Sequence, residues 1–101
     1  MLAEIKNEDE QMAVELFLTI NNPSGEKNFW IGLTDIFQLN RWMWEPSHQP
    51  ATYFNWAKGE PNHKPGEHFA HILSKELDRK WNDLPENGGP YNVWALCQKK
   101  N

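Results

Sequence analysis

Apolar residues recur at every fourth position near the start of the chain. Met12, Leu16 and Ile20 stand at i, i+4 and i+8, the spacing that places side chains on one face of a helix. Asn7 is a residue type that caps helices, and Glu10 lies three positions later, as in a capping box. The pattern predicts an amphipathic helix from residue 7 to about residue 20, with its apolar stripe packed on a sheet.

Short apolar and aromatic runs follow the helix and predict strands. They cover residues 29–33, 42–44, 70–73, 80–82 and 93–97, and the turn formers at 87–90 separate the last two. Residues 45–66 contain four prolines and two glycines, which exclude a continuous helix or a central strand there. Tyr53, Phe54 and Trp56 within this stretch indicate a structured loop, because disordered segments rarely carry such anchors.

The composition is that of one folded domain over residues 1–101. Hydrophobic residues make up 39% of the chain and charged residues 24%, which is typical of globular proteins and argues against disorder and a membrane span. The six tryptophans indicate a core built on large aromatic side chains. A formal charge of -4, with lysine and arginine scattered, argues against nucleic acid as a partner.

Carboxylates and amides gather in the long loop and just after it. Glu60, Asn62 and Glu67 lie within eight residues, and Asn82 and Asp83 follow Trp81. Calcium is a hard ion that takes six to eight oxygen ligands from such groups, although the spacing of an EF-hand is absent. On spacing alone, both a calcium site and an ordinary solvated polar loop remain open.

A set of motifs resembles the C-type lectin domain family in order and approximate spacing. The resemblance runs from residues 2–5 to 95–97, over nearly the whole chain. Its motifs are Phe29-Trp30-Ile31-Gly32-Leu33-Thr34-Asp35, Trp42-x-Trp44, Tyr53-x-Asn55-Trp56, Gly59-Glu60-Pro61-Asn62, Gly66-Glu67 and Trp81-Asn82-Asp83. It implies an α+β, C-type lectin-like fold, with one or two helices packed on short antiparallel sheets and a long calcium-binding loop. It also implies that Trp30, Trp42, Trp44 and Trp56 fill the core.

The same resemblance implies a calcium-dependent carbohydrate-binding site. In the family, residues matching Glu60, Asn62, Glu67, Asn82 and Asp83 coordinate one Ca2+, with the Asp83 carbonyl as a further ligand. The bond before Pro61 is expected to be cis, which is inexpensive only before proline. Two adjacent sugar hydroxyls would complete the calcium shell and bond to Glu60, Asn62, Glu67 and Asn82. The Glu-Pro-Asn order goes with mannose-type sugars, namely mannose, fucose, glucose and N-acetylglucosamine.

Several positions depart from the family pattern. The positions of an auxiliary calcium read Asp35, Leu39, His63 and His68, so a second calcium is not expected. The inner disulfide would join the positions of Phe69 and Glu86, and the partner of Cys97 would lie before Met1. The resemblance thus describes an N-terminally truncated domain that lacks the family's first strand and first helix.

Other interpretations concern histidine, cysteine and the class of function. His63, His68 and His71 could suggest zinc, but their spacing favours surface residues. Cys97 has no acid-base partner nearby, so an enzyme is not expected. The alternatives to a lectin of innate immunity or self-glycan recognition are a protein-interaction module without sugar binding and an inactive truncated fragment. Residues 1–6 are not a signal peptide, and a secreted location is implied by the resemblance alone.

Overall fold

The computed structural model describes residues 1–45, 47–62, 64–89 and 91–97 of the chain. It has a mixed α and β architecture, as predicted. The elements, in chain order, are helix α1 (Glu8–Asn21), strand β1 (Asn28–Thr34), strand β2 (Met43–Trp44), strand β3 (Phe69–Ile72), a 3-10 turn (Lys75–Leu77), strand β4 (Trp81–Leu84) and strand β5 (Val93–Ala95). In the part of the chain so described, no helix has the length and apolar character needed to cross a lipid bilayer.

Helix α1 begins where its capping residues predict. The Asn7 side chain accepts a hydrogen bond from the Glu10 N–H at 2.8 Å, and the Glu10 carboxylate accepts one from the Lys6 N–H at 2.6 Å. One of the N–H groups that a helix start leaves without partners is thereby satisfied, and the residue before the cap is bonded to the first turn. Acidic residues fill the first turn, where the helix dipole favours negative charge. Asn22 closes the far end through its N–H to the Leu18 carbonyl at 2.7 Å.

Strand β1 is the centre of the sheet. It pairs antiparallel with β3 along its length and with β2 at its carboxyl end, and β3 pairs antiparallel with β4. Strand β5 pairs with the first half of β1 in the parallel direction. The expected antiparallel pairing is confirmed for these three strand pairs, and the pairing of β1 with β5 is parallel. Since β4 already runs parallel to β1, the chain reaches β5 by crossing the sheet rather than by a hairpin.

The first residues of the chain lie against the sheet. The Ala3 N–H donates to the Leu96 carbonyl and its own carbonyl accepts from the Gly32 N–H, both at 2.8 Å. Leu2 and Cys97 form an antiparallel bridge, so the end of the 93–97 run is paired with the first residues of the chain. A Cβ on Gly32 would lie 2.5 Å from the Glu45 carbonyl oxygen, which explains why this crowded position holds glycine.

Tryptophan rings form the centre of the core, as predicted. Trp44 and Trp81 are fully buried and meet edge to face, with ring centroids 6.0 Å apart. Trp42 is also buried and packs on Trp56 at 4.9 Å. Trp30 and Trp56 are only half-buried, so they line the core rather than fill it. The buried cluster comprises Ala3, Ile5, Leu18, Ile31, Leu33, Trp42, Trp44, Ala70, Ile72, Trp81 and Leu96.

The orientation of helix α1 differs from the prediction. Met12, Leu16 and Ile20 are all exposed, and the helix instead buries Gln11 and Leu18. The physical reason is a pair of hydrogen bonds, since Gln11 Oε1 accepts from the Trp81 indole N–H at 3.0 Å and Gln11 Nε2 donates to the Arg79 carbonyl at 3.3 Å. The polar Gln11 therefore faces inward and leaves an apolar stripe on the surface.

Candidate functional site

The loop carrying Glu60 and Asn62 is attached to strand β4 by backbone hydrogen bonds. The Trp81 N–H donates to the Asn55 carbonyl and the Ala57 N–H donates to the Trp81 carbonyl, both at 2.8 Å. A tight turn follows, in which the Glu60 N–H donates to the Ala57 carbonyl at 2.9 Å and Gly59 has φ +83. The Glu60–Pro61 peptide bond is cis, the isomer that the resemblance implies. The loop thus delivers Glu60 beside the strand that carries Asp83.

Three of the five expected ligand residues are in direct contact. The Asn62 N–H donates to Asp83 Oδ1 and to Glu60 Oε1, both at 3.1 Å. Glu60 also shares a side-chain hydrogen bond with Asp83. The backbone between Glu60 and Asn62 therefore closes on a buried carboxylate of β4.

The other two expected ligands present oxygens that lack hydrogen-bond partners. Glu67 Oε1 and Asn82 Oδ1 are both buried and unsatisfied. A buried oxygen without a donor carries a free-energy cost unless a donor or a cation satisfies it. Carboxylate and amide oxygens are the donor set that Ca2+ prefers, so the residues present fit this ion.

Negative charge accumulates among these residues. Burial, a hydrogen bond to Asp83 and the charges of Asp83 and Glu67 raise the pKa of Glu60 to about 7. Burial and the nearby Asp83 charge also raise the pKa of Glu67, against the opposing effect of Lys64. Near neutral pH, the ionised form of such carboxylates is unfavourable in free energy unless a cation neutralises the charge.

The carboxylates do not form a closed metal cage. Over residues 1–45, 47–62, 64–89 and 91–97, no three His, Cys, Asp or Glu side chains are grouped so that they could hold a metal ion between them. Two of the expected ligands are amides, and Glu60 shares a side-chain hydrogen bond with Asp83. The expected ligand set is therefore a mixture of carboxylate and amide oxygens rather than a cage of carboxylates.

At the positions that match an auxiliary calcium site, Asp35 is in hydrogen-bonding contact with a histidine and a backbone N–H. His68 Nδ1 lies 2.9 Å from Asp35 Oδ1, and Asp35 Oδ2 accepts the Asn40 N–H at 3.1 Å. Asp35 is fully buried, and Leu39 is exposed. His63 lies outside the described residues. The absence of a second calcium stays a prediction. Among these positions Asp35 is the acidic residue, and its carboxylate already contacts the His68 imidazole and the Asn40 N–H.

His71 was expected at the surface, and this prediction is wrong. It is fully buried in β3, between the rings of Trp30 at 6.0 Å and Tyr91 at 5.3 Å, and neither ring nitrogen has a hydrogen-bond partner. Burial lowers its pKa to about 4, although the Asp83 charge opposes this. Its place in the sequence between apolar Ala70 and Ile72 was the signal that it lies inside.

Comparison with known proteins decides the family. The model of the lectin C-type domain matches residues 1–99 of the chain. The chain belongs to the C-type lectin domain family. A C-type lectin mannose-binding isoform from Oxyuranus scutellatus is 39% identical over 59 residues, which cover 57% of this chain and 37% of that protein.

Solved structures share the fold of this C-type lectin domain. The mouse scavenger receptor C-type lectin carbohydrate-recognition domain superposes with a TM-score of 0.68 at 32% identity, over 82% of this chain and 58% of that chain. The EPNH mutant of CEL-I superposes with a TM-score of 0.72 at 28% identity, over 83% of this chain and 58% of that chain. Residues 60–63 here also read EPNH. The predicted C-type lectin-like fold is confirmed, and the chain spans less than two thirds of the length of these relatives.

Membership in a family of lectins also bears on the class of function. Carbohydrate binding without catalysis characterises the family, in agreement with the expectation that the chain is not an enzyme. Cys97 is an exposed free thiol.

Proposed function

We propose that this C-type lectin domain binds mannose-type sugars through a single Ca2+ held by Glu60, Asn62, Glu67, Asn82 and Asp83. The observation that carries the proposal is the pair of buried, unsatisfied oxygens on Glu67 and Asn82, beside the contact of Glu60 and Asn62 with Asp83. A single hard cation would satisfy the free oxygens and neutralise the clustered carboxylates.

The side chains around this site would recognise a sugar diol through hydrogen-bond donors and acceptors. Bound calcium supplies open coordination positions for two adjacent hydroxyl oxygens. Glu60 is acceptor-only once ionised, whereas the Asn62 amide offers both a carbonyl oxygen and two N–H donors. Glu67 and Asn82 provide the second acceptor and donor pair for the same diol.

Relatives support the sugar class and the setting. One relative is named as mannose-binding, and the EPNH sequence recurs in a CEL-I mutant. We infer glycans or glycoproteins as partners and a secreted location, with recognition of microbial or self glycans in innate immunity as the role. Single sites of this kind bind weakly, so clustering of several domains would raise the avidity.

The test is binding to a mannose-coated surface in calcium and in excess chelator. Wild-type protein should bind in calcium and lose binding in chelator, and binding that persists in chelator would refute the mechanism. Asn62→Asp removes the amide donors and adds a negative charge, so it should abolish or redirect sugar selectivity. Asn92→Asp makes the same chemical change at an exposed position outside the site and should leave binding unchanged.

A second candidate function is a protein-interaction module on the same fold. The exposed stripe of Met12, Leu16 and Ile20 on helix α1 favours it, because contiguous apolar surface often marks a protein interface. This candidate predicts no mannose signal in millimolar calcium and a protein partner that chelator does not release. An inactive fragment would show neither, and it would also show no rise in melting temperature with calcium.

A further inference from the structure

The residue that precedes strand β3, His68, is bonded to the end of strand β1 in three ways. The Thr34 hydroxyl donates to the His68 carbonyl at 2.6 Å, and the Asp35 N–H donates to the same oxygen at 3.2 Å. His68 Nδ1 lies 2.9 Å from Asp35 Oδ1, and because a carboxylate accepts hydrogen bonds, Nδ1 is the donor. Both the main chain and the side chain of His68 are therefore attached to β1.

These bonds matter because the main-chain pairing of β1 with β3 is irregular at this end. Trp30 pairs with His71, and Thr34 pairs with Phe69, so the register shifts between Trp30 and Thr34. An irregularity of this kind leaves residues of the ladder unpaired and bends the strand. The bonds at His68 therefore fix the place at which β3 begins.

The beginning of β3 determines the position of Glu67, which immediately precedes His68. On its other side, the Glu67 N–H donates to the Lys64 carbonyl at 3.0 Å, in a turn where Gly66 has φ +83. The Glu67 carboxylate oxygen Oε1 is buried and has no hydrogen-bond partner. Bonds on both sides thus hold the Glu67 main chain, while this oxygen stays unsatisfied.

Strand β3 also relates Glu67 to the carboxylate on β4. Ala70 pairs with Asp83, and Phe69 pairs with Leu84. The Asp83 charge contributes to the raised pKa of Glu67, so the two carboxylates lie near each other. Calcium ligands lie about 2.3–2.6 Å from the ion, so a displacement of about 1 Å at the start of β3 would remove the Glu67 oxygen from the shell.

We infer that Asp35 and His68 are positioning residues for the calcium site, which act by holding Glu67 within reach of the ion that it shares with Asp83. The inference rests on the proposed function and adds two residues outside the proposed ligand set. Asp35 suits this role because it is only 1% exposed and its second oxygen, Oδ2, accepts the Asn40 N–H at 3.1 Å. A buried carboxylate bonded at both oxygens is fixed in orientation, so it holds the His68 ring in place.

The experiment measures the dissociation constant of calcium by titration calorimetry, together with the melting temperature in chelator. His68→Asn and His68→Gln separate the two ring nitrogens, because an Asn amide lies near the place of Nδ1 and a Gln amide near the place of Nε2. His68→Gln should raise the dissociation constant about tenfold, as expected when a group that orients a metal ligand is lost. His68→Asn should keep most of the affinity. His48→Gln is the matched control, because His48 Nε2 contacts Glu45 Oε1 at 3.2 Å in a more exposed pair.

A weaker calcium affinity in His68→Gln, with His68→Asn and His48→Gln close to wild type, supports the inference. Equal affinities in all four proteins overturn it and leave the proposed function intact. An equal loss in both His68 variants also overturns it, because Nδ1 would then not be the group that acts. So does a lower melting temperature in chelator with unchanged calcium affinity, which assigns the pair to stability alone.

A wild type that does not bind calcium refutes the proposed function, and the inference with it. If His68→Gln does not fold, Thr34→Val takes its place, since it removes the hydroxyl bond to the His68 carbonyl. A loss of calcium affinity in Thr34→Val supports the inference, and wild-type affinity overturns it.

Discussion

Two polar clusters lie on either side of Trp81, and they use their hydrogen-bonding groups in opposite ways. Around Arg79, buried polar groups are bonded to one another. Around Asp83, carboxylates crowd together and two buried oxygens stay unsatisfied. The clusters are only four positions apart in the sequence, so the difference arises from the segments that each contacts.

The Arg79 cluster joins helix α1 to the sheet. Its guanidinium donates to the Lys27 carbonyl at 2.7 Å and to Asn22 Oδ1 at 3.4 Å. Its backbone carbonyl accepts from Gln11 Nε2 at 3.3 Å and from Asn55 Nδ2 at 3.5 Å. Buried polar groups satisfied in this way support a unique arrangement of their elements.

The Asp83 cluster is the less stable of the two by itself. Raised pKa values at Glu60 and Glu67 mean that the folded state disfavours their ionised forms. We propose that one cluster stabilises the domain and that the other is arranged for a ligand. The following predictions test that distinction, beginning with the largest expected effect.

Removing the guanidinium should destabilise the domain strongly. Arg79→Ala leaves the Lys27 carbonyl and Asn22 Oδ1 without a charged donor, and we expect the free energy of unfolding to fall by about 3 kcal/mol. Urea denaturation measures the change. Arg41→Ala, at an exposed position, should change it by less than about 0.5 kcal/mol. Equal effects of the two substitutions would contradict a structural role for this cluster.

Calcium should stabilise the domain through the other cluster. At a free concentration one hundred times the dissociation constant, calcium should raise the free energy of unfolding by about 2.7 kcal/mol. Glu67→Gln replaces an expected ligand charge, so it should lose most of this gain while its stability in chelator is unchanged or higher. Glu76→Gln, at an exposed position, is the control. Thermal melts with and without calcium measure the difference, and a full calcium response in Glu67→Gln would exclude its role.

The stability of the calcium-free protein should depend on pH in an unusual direction. The pKa of Glu60 rises from 4.5 to about 7 on folding, so between these values the folded state holds a proton that the unfolded state has lost. Stability from this group is therefore greatest at low pH and declines as pH rises through about 7. Glu60→Gln should flatten the profile of melting temperature in chelator, whereas exposed Glu86→Gln should not. A profile that Glu60→Gln leaves unchanged would count against this interpretation.

Local sequence signals predict the elements well. Asn7 and Glu10 mark the helix start because capping is a contact between residues three positions apart, and the apolar runs coincide with the strands within a few residues. Strand direction is not a local property, so the parallel pairing of β5 with β1 was missed. The direction of β5 depends on the path of the chain between β4 and β5.

Burial is predicted less well where polar groups find partners inside. Periodicity selects the stripe of Met12, Leu16 and Ile20, but Gln11 faces inward because its amide bonds to Trp81 and Arg79, which lie about seventy positions away. His71 is inside because the rings of Trp30 and Tyr91 pack against it on its own face of β3. Hydrophobic scoring of single residues cannot detect either case.

The candidate site was assigned by resemblance rather than by spacing. Its convergence depends on the loop bonds at Asn55 and Ala57, which bring Glu60 to Asp83 across more than twenty positions. The role of these residues in calcium binding stays a prediction. Single-residue patterns contain no information on contacts between positions this far apart in the chain.

The bridge between Leu2 and Cys97 has a consequence for how the domain can be displayed. It brings two positions near opposite ends of the described chain to one edge of the sheet. Fusions made at these two positions would therefore join the sheet at nearly the same point, which is the geometry that tolerates insertion into a host loop. Several copies inserted in this way into one scaffold would test the proposed sugar site at high valency without altering its residues.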